Sequence, residues 1–233
     1  MLRSQPPVCG LRSPAFTLAA LVLAGCSTTH GIRPIGKGAV GVEASLGGPI
    51  TEVFGLPIPL PLTTVGATVG VTDTTDVHAA FHPTAAAMFA VGVGEVGASQ
   101  QLLAPAGARP RIMADLTLLG AGGDLEPGQA PSGGFRFFAQ PTVLVSWDYG
   151  KAAQHTVYTG PTAFLAPAEE FHALGAWVLG NRFGFGRSHL DLELKWIDPW
   201  ASTTDLVPTY LSPGDLGAVS FQLGYGFRFG GAQ

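Results

Sequence analysis

Three ionisable residues alternate with leucines in the stretch His189-Leu190-Asp191-Leu192-Glu193. Alternate residues of a β-strand face the same side and lie about 6.6 Å apart. An imidazole beside carboxylates can transfer protons during hydrolysis. We therefore take His189, Asp191 and Glu193 as candidate catalytic residues, and we keep a purely structural role for them as the alternative.

The alternative is a network of charges that pair with one another behind the apolar faces of neighbouring strands. Its candidate members are Glu43, Asp115, Arg136, Asp191, Glu193, Lys195 and Arg228. We favour this network, because the sequence around His189 contains no complete catalytic motif.

Two further motifs do not predict a cofactor or a metal. The glycines of Gly92 to Gly97 match a dinucleotide-binding fingerprint, but no strand–helix–strand alternation surrounds them. His78 and His82 would lie about 13 Å apart on a strand, too far for one ion. Cys9 and Cys26 both lie at or before residue 26, so the remaining chain has no thiolate cluster. We expect neither cofactor nor metal.

Period-two alternation of apolar and small or polar residues dominates the chain from Gly38 onward. Ten segments show it or resemble a strand: about 38–48, 62–72, 77–82, 90–101, 112–118, 135–147, 155–165, 171–180, 188–197 and 218–229. Segments of about ten residues can cross a membrane as tilted strands. The pattern predicts an all-β fold, a closed antiparallel up-and-down transmembrane barrel of about ten strands, with eight or twelve as alternatives.

The composition agrees with strands that face lipid. Only 12% of the residues are charged, and the chain contains 33 glycines and 19 prolines, which suit short strands and turns better than helices. The mean hydropathy is +0.32. A net charge of −4 argues against a nucleic-acid partner.

Link lengths and aromatic residues favour an orientation with the apolar faces outward. Links near 72–76, 104–110 and 148–154 are short, whereas those near 49–61, 120–134 and 198–217 are long. Outer-membrane barrels alternate short periplasmic turns with longer external loops. The links at 83–89, 166–170 and 181–187 fit this alternation less well. Aromatics such as Trp147 and Trp196 end apolar faces, where headgroups lie.

The N-terminus has the features of an export leader. Residues 1–25 combine Arg3 and Arg12 with an apolar run from about 15 to 24, which is too short to span a bilayer. The stretch Leu23-Ala24-Gly25-Cys26 resembles the lipobox of bacterial lipoproteins. That resemblance implies a diacylglycerol on the Cys26 thiol, cleavage before Cys26, and delivery to the outer membrane, since Ser27 is not acidic. The alternative is an ordinary cleavage site beside an incidental cysteine.

The last predicted strand ends on Phe229 after regular alternation from Phe221. It resembles the terminal strand that the outer-membrane assembly machinery recognises, although residues 230–233 follow it. The resemblances imply three kinds of partner, namely outer-membrane lipids, the assembly machinery and the lipoprotein-sorting machinery. The expected organisation is a leader at 1–25, a periplasmic linker at 26–37, a barrel at 38–229 and a tail at 230–233.

Ten strands leave a narrow or plugged interior, which argues against a general porin. We therefore expect a non-enzymatic outer-membrane lipoprotein with a structural, adhesive or narrow-pore role. One alternative is a hydrolase with its site in the lumen. Another is a lipid-tethered periplasmic barrel that binds an apolar ligand with its apolar faces inward. The Phe54–Leu62 and Asp198–Gly217 loops are candidate partner surfaces.

Overall fold

The structure is a computed structural model that describes residues 30–53, 56–60, 62–123, 134–167, 172–202 and 209–230. The predicted leader at 1–25, Cys26 and most of the predicted tail lie outside the described residues. So do residues 54, 55 and 61 of one candidate loop and residues 203–208 of the other. Among the described residues, no helix is long and apolar enough to cross a membrane.

Strands account for nearly all of the described chain. They are β1 (Val40–Val53), β2 (Leu56–Pro59), β3 (Leu62–Gly70), β4 (Thr75–Phe81), β5 (Val91–Leu103), β6 (Arg111–Gly123), β7 (Gly134–Tyr149), β8 (His155–Ala166), β9 (His172–Phe185), β10 (Ser188–Ser202) and β11 (Leu216–Phe229). Among the described residues, one short α-helix, α1 (Pro83–Phe89), links β4 to β5, and short 3-10 turns lie at Lys151–Ala153 and Pro213–Asp215.

Ten of these strands form a closed ring of antiparallel neighbours. Each strand pairs with the next along the chain, except that β1 pairs with β3, and β11 pairs back with β1 from Val40↔Phe229 to Pro49↔Ser220. Strand β2 pairs only with the far end of β1 and forms a hairpin outside the ring. The predicted closed up-and-down barrel of ten strands is confirmed, and each predicted segment overlaps one strand of the ring.

The alternation of side chains sets the two faces of the wall. Leu116 is 50% exposed on the outside, whereas its neighbour Thr117 points inward and is buried. The other exposed outward residues include Val42, Val65, Val69, Val96, Leu179, Leu194, Leu223 and Tyr225. The buried inward residues include Asp76, Glu95, Gln140, Thr142, Asp191, Glu193, Lys195 and Gln222. The wall is therefore apolar outside and mostly polar inside.

The links divide the barrel into two different ends. Residues 71–74, 104–110, 150–154 and 186–187 make short turns at one end, where β1 also begins and β11 ends, and we name this the turn end. The β1–β2 hairpin, α1, residues 209–215 and the ends of β6, β8 and β10 lie at the other end, which we name the loop end. The link predicted at 181–187 is reduced to a short turn at residues 186–187, because strand β9 extends to Phe185.

Apolar side chains fill the interior near the loop end. Phe138 and Phe164 stack there with ring centroids 5.0 Å apart. We name the buried group the outer cluster; it comprises Ala85, Val93, Leu119, Ala121, Phe138, Phe164, Ala166, Leu174, Ile197, Tyr210 and Ala218. Its members include Ala85 from α1 and Tyr210 from the β10–β11 link. This apolar layer explains why β5 has a weak pattern, since Val93 and Glu95 both point inward.

Candidate functional site: the polar interior of the barrel

Residues His30 to Lys37, which we name the lumen segment, run from an exposed Lys37 at the turn end to a buried His30 inside the barrel. The Ile35 amide donates to Asp76 Oδ2 at 3.0 Å, and the Lys37 amide donates to Asp73 Oδ1 at 3.3 Å. Ile32 is fully buried in a small apolar cluster with Leu144, Tyr158 and Val178. The sequence predicts a periplasmic linker at residues 26–37. The described part of that stretch instead packs against the barrel interior, because Asp73 and Asp76 accept its amide hydrogen bonds and the apolar cluster surrounds Ile32.

Asp148 on β7 binds the middle of the lumen segment. Arg33 Nη2 lies 2.7 Å from Asp148 Oδ1, and Arg33 Nη2 also donates to the Ala153 carbonyl at 2.9 Å. Arg111 donates to both oxygens of Asp148, at 3.2 and 2.8 Å, and Thr156 Oγ1 donates to Oδ1 at 2.8 Å. One carboxylate is therefore shared by two guanidinium groups and a hydroxyl.

Glu193 on β10 binds the start of the lumen segment. His30 Nδ1 lies 3.0 Å from Glu193 Oε2, to which Tyr158 Oη also donates at 2.8 Å. Lys195 Nζ lies 3.2 Å from Glu193 Oε1. Each of these side chains is almost completely buried. Glu193 is thus charge-balanced inside the barrel, as expected for a buried carboxylate.

His189 lies between two carboxylates, that of Asp191 two residues further along β10 and that of Glu43 on β1, across β11. Its Nε2 lies 3.6 Å from Asp191 Oδ2 and 3.7 Å from Glu43 Oε2. Arg182 on β9 donates to both oxygens of Asp191, from Nε at 2.7 Å and from Nη2 at 2.6 Å. Such a bidentate pair fixes Asp191 in position.

Glu43, His189 and Asp191 are also the described residues whose ligand atoms come close enough to hold a cation together. One ligand atom from each lies within 4.8 Å of the other two. Imidazole and carboxylate ligands of this kind suit several divalent ions. However, Arg182 occupies both oxygens of Asp191 with its own positive charge, so the carboxylate is already neutralised.

The candidate catalytic residues therefore divide between two clusters. His189 and Asp191 come together, but Glu193 turns towards His30 and Lys195. The cavity beside His189 has a volume of about 70 Å³ and is lined by Glu43, His78, Asp115 and Arg182 as well as the lumen segment. That space holds a few water molecules, and a peptide or an acyl chain does not fit.

The remaining members of the predicted charge network lie at separate places. Asp115 accepts from Thr117 Oγ1 at 2.8 Å and lies 3.8 Å from His78 Nδ1. Arg136 is on β7 near the loop end, and Arg228 is on β11 near the turn end. Of the predicted basic members, Lys195 contacts a predicted acid, Glu193.

Several residues of the interior were missed by the sequence analysis. Arg182, Arg111 and Asp148 make short ion pairs, and His30 and Arg33 come from the predicted linker. The alternation could have placed Arg182 in the lumen, because Trp177 and Leu179 point outward and residue 182 falls on the opposite face of the strand. The predicted strand ended at residue 180 and Arg182 fell in the predicted link 181–187, so this arginine was not assigned to the lumen.

Gly180 on β9 leaves room for Tyr158. A Cβ atom at Gly180 would overlap the ring of Tyr158, whose hydroxyl donates to Glu193. We expect Gly180→Ala to lower the free energy of unfolding by about 1–3 kcal/mol, because the buried ring must move. Denaturant unfolding of the barrel in detergent micelles measures this.

Gly94→Ala is the matched control for Gly180→Ala. The nearest atom to a Cβ at Gly94 is the Ala80 carbonyl oxygen at 3.8 Å, which is an ordinary contact. Equal stability changes for the two variants would contradict the proposed packing of Tyr158.

The burial of charge and the exposure of apolar side chains decide where this barrel resides. Its closed ring leaves no open edge, its outward face is apolar over the middle of the strands, and its ion pairs lie in the lumen. Only a barrel that faces hydrocarbon suits that arrangement. The protein is an outer-membrane β-barrel. In such barrels the short turns and both termini face the periplasm, so the turn end is periplasmic.

The sequence matches no protein-family model and no curated protein. Among solved structures, the outer-membrane barrel is similar to the translocator domain of autotransporter NalP from Neisseria meningitidis. That match has 11% identity and a TM-score of 0.43, and it covers 92% of this chain and 94% of that chain.

Two other solved structures show a looser likeness. Ail, the attachment invasion locus protein of Yersinia pestis, is 10% identical with a TM-score of 0.27, covering 83% of this chain and 99% of that chain. OmpT, an outer membrane protein of Vibrio cholerae, is 13% identical with a TM-score of 0.30. That match covers 82% of this chain and 61% of that chain. These similarities concern the fold alone.

Proposed function

We propose that this outer-membrane barrel is a sealed, non-enzymatic protein with a structural or adhesive role, and that it does not act as a pore. The observation that supports this is the filling of the lumen. The outer cluster occupies the interior near the loop end, and the lumen segment occupies the half nearer the periplasm. Since the interior is filled, we assign the structural or adhesive role to the surface of the barrel and to its external loops.

The loop end offers apolar side chains that a structural or adhesive role can use. The β1–β2 hairpin exposes Leu56 and Ile58, and Trp200 near the end of β10 is 68% exposed. Pro57 and Pro59 restrict the backbone of β2 and stiffen it. Tyr210 lies beneath this region, and burial raises its pKa to about 12, so the phenol stays neutral there.

A conductance measurement tests the proposal. Reconstituted into a planar lipid bilayer, the full barrel is expected to give no steady single-channel current, because on this proposal the buried apolar side chains of the outer cluster close the lumen. A variant that lacks residues 30–37 is expected to be equally silent, since the outer cluster is intact in it. Regular ohmic channels from the full-length protein would refute the sealed barrel and favour the narrow-pore role.

The two other candidate functions have less support. The alternative of a periplasmic barrel that binds an apolar ligand is wrong, because Leu116 and the other apolar residues of its face point outward. A lumen hydrolase would use His189 and Asp191, but the cavity beside them is too small for a lipid or a peptide. If the protein were a lumen hydrolase, His189→Ala would abolish turnover of a lipid or peptide substrate. If it is a sealed, non-enzymatic barrel, no turnover is expected with or without His189.

A lipid anchor at Cys26 is the other part of the proposal, and its support is the lipobox-like stretch Leu23 to Cys26. In this reaction a thioether bond forms between Cys26 Sγ and a glycerol carbon of a phospholipid. The carbon–oxygen bond to the headgroup phosphate breaks, and the thiol proton is released. Intact-mass measurement of the mature protein tests the anchor, because lipid attachment and cleavage before Cys26 change the mass by a defined amount.

A further inference from the structure

The turn end of the barrel presents exposed positive charges around its rim. Among the described residues, each of four segments at this end carries one exposed cation: Lys37 before β1, Arg109 in the β5–β6 link, Lys151 in the β7–β8 link and Arg187 in the β9–β10 link. The β3–β4 link carries an exposed acid, Asp73, instead. Because these segments alternate around the ring of strands, the cations are spread over the whole circumference. We name the four side chains the basic rim.

The basic rim is not neutralised by the protein itself. None of its side chains makes an ion pair with another described residue, whereas Arg111 and Arg182 pair with carboxylates that line the lumen. Arg109 Nε donates to the Ala104 carbonyl at 3.1 Å, and a carbonyl does not cancel its charge. The rim is therefore open to a negatively charged partner from outside the barrel.

The loop end has exposed charges of the opposite sign. Glu52 and Asp215 are exposed there, and no lysine or arginine is exposed among the described residues of that end. Arg136, the described arginine nearest to it, is half-buried. The described surface is thus positive on the periplasmic side of the membrane and negative on the other side.

Exposed aromatic side chains set the depth of the basic rim in the membrane. Tyr149, Phe185 and Phe229 are exposed on the outer face of the barrel at the turn end. Aromatic residues at such positions lie at the membrane–water interface. Lys151 follows Tyr149 by two residues and Arg187 follows Phe185 by two, which is at most about 7 Å of chain. These cations therefore lie at the level of the lipid headgroups of the periplasmic leaflet.

We propose that the basic rim binds the phosphate groups of anionic phospholipids in the periplasmic leaflet. Arginine and lysine side chains both bind phosphate oxygens. A zwitterionic headgroup carries its own positive charge beside the phosphate, so a cation on the protein favours the lipid without that charge. One lysine or arginine near an anionic membrane surface strengthens the attraction about fivefold. The barrel thereby collects anionic lipid around its turn end and not around its loop end.

Tryptophan fluorescence in lipid vesicles tests the proposal at both ends of the same barrel. Trp147, near the end of β7, and Trp200, near the end of β10, are exposed on opposite sides of the membrane. Two proteins each keep one of these tryptophans, and their other three tryptophans are replaced by phenylalanine. The vesicles contain phosphatidylcholine and phosphatidylglycerol, and either lipid carries brominated acyl chains, which quench the tryptophans that they contact. Both ends meet the same lipid mixture, so each protein is the control for the other.

We expect phosphatidylglycerol to be preferred over phosphatidylcholine about fivefold at Trp147 and about equally at Trp200. The preference at Trp147 should be lost in 1 M salt, where charges are screened beyond about 3 Å. Lys151→Gln, which removes the cation next to Trp147, should also abolish it. Lys37→Gln is the matched control, because Lys37 precedes β1 on the opposite side of the ring from β7 and should leave the preference at Trp147 unchanged.

Heat-modifiable gel migration checks that every variant is folded before the lipids are compared. Equal quenching by the two brominated lipids at Trp147 would overturn the proposal, and so would an equal preference for phosphatidylglycerol at Trp200. If the barrel shows no lipid preference but binds isolated peptidoglycan, and Lys151→Gln weakens that binding, the rim recognises cell-wall carboxylates and the lipid proposal is wrong.

Discussion

Replacing Arg182 with leucine is expected to lower the free energy of unfolding of the barrel by about 3–5 kcal/mol. Asp191 is completely buried, and Arg182 donates to both of its oxygens. Removing one partner of a buried ion pair leaves the other charge uncompensated, which is the costly outcome. His189, at 3.6 Å, is too distant to replace the two short hydrogen bonds. Equilibrium unfolding in urea, with the barrel folded in detergent or lipid, measures the effect.

The double variant Arg182→Leu with Asp191→Leu separates lost charge from lost packing. Replacing both partners with apolar residues is often neutral, so most of the lost stability should return. Arg187→Leu is the control, because Arg187 is exposed in the β9–β10 turn and should change stability by less than about 0.5 kcal/mol. A single variant as stable as the parent protein would show that the pair does not stabilise the fold.

Arginine in place of Leu116 is expected to destabilise the barrel in a bilayer by about 2–4 kcal/mol. Leu116 points outward at the middle of β6 and is 50% exposed, so the new charge would face hydrocarbon near the bilayer centre. The same exposed position on a water-soluble barrel would tolerate arginine. Reversible unfolding from lipid vesicles gives the free energy for each variant.

The control for Leu116→Arg is the same substitution near the membrane interface, Tyr149→Arg. Tyr149 is the last residue of β7, at the periplasmic end, and is also exposed. A charge near the interface costs only about 0–1 kcal/mol. Equal small effects at both depths would contradict a membrane-spanning wall.

The strands of the barrel could be predicted because each depends on a short local pattern. In β10, Leu190, Leu192 and Leu194 alternate with charged residues, and that alternation alone assigns opposite faces. The β1–β2 hairpin and α1 were missed for a physical reason. Proline at 57 and 59 argues against a strand of the ring, and seven helical residues between two strands give no clear periodicity.

The pairings of the interior could be predicted only in part. The inward direction of Asp191 and Glu193 follows from alternation within β10, but their partners depend on the register between strands. Arg182 faces Asp191 because the two are directly paired across β9 and β10. His30 and Arg33 are outside any strand, so no alternation could place them in the lumen.

The seam between β1 and β11 has a consequence for folding. Val40 and Phe229 are direct neighbours in the sheet although they stand at opposite ends of the barrel sequence. Contacts between residues so distant in the chain form slowly, because the entropy of the whole intervening loop must be lost first. Strand β1 cannot complete its pairing until β11, the last strand of the barrel, has been synthesised. Truncation before Leu216 would remove β11 and leave β1 and β10 with unpaired edges, which promote aggregation.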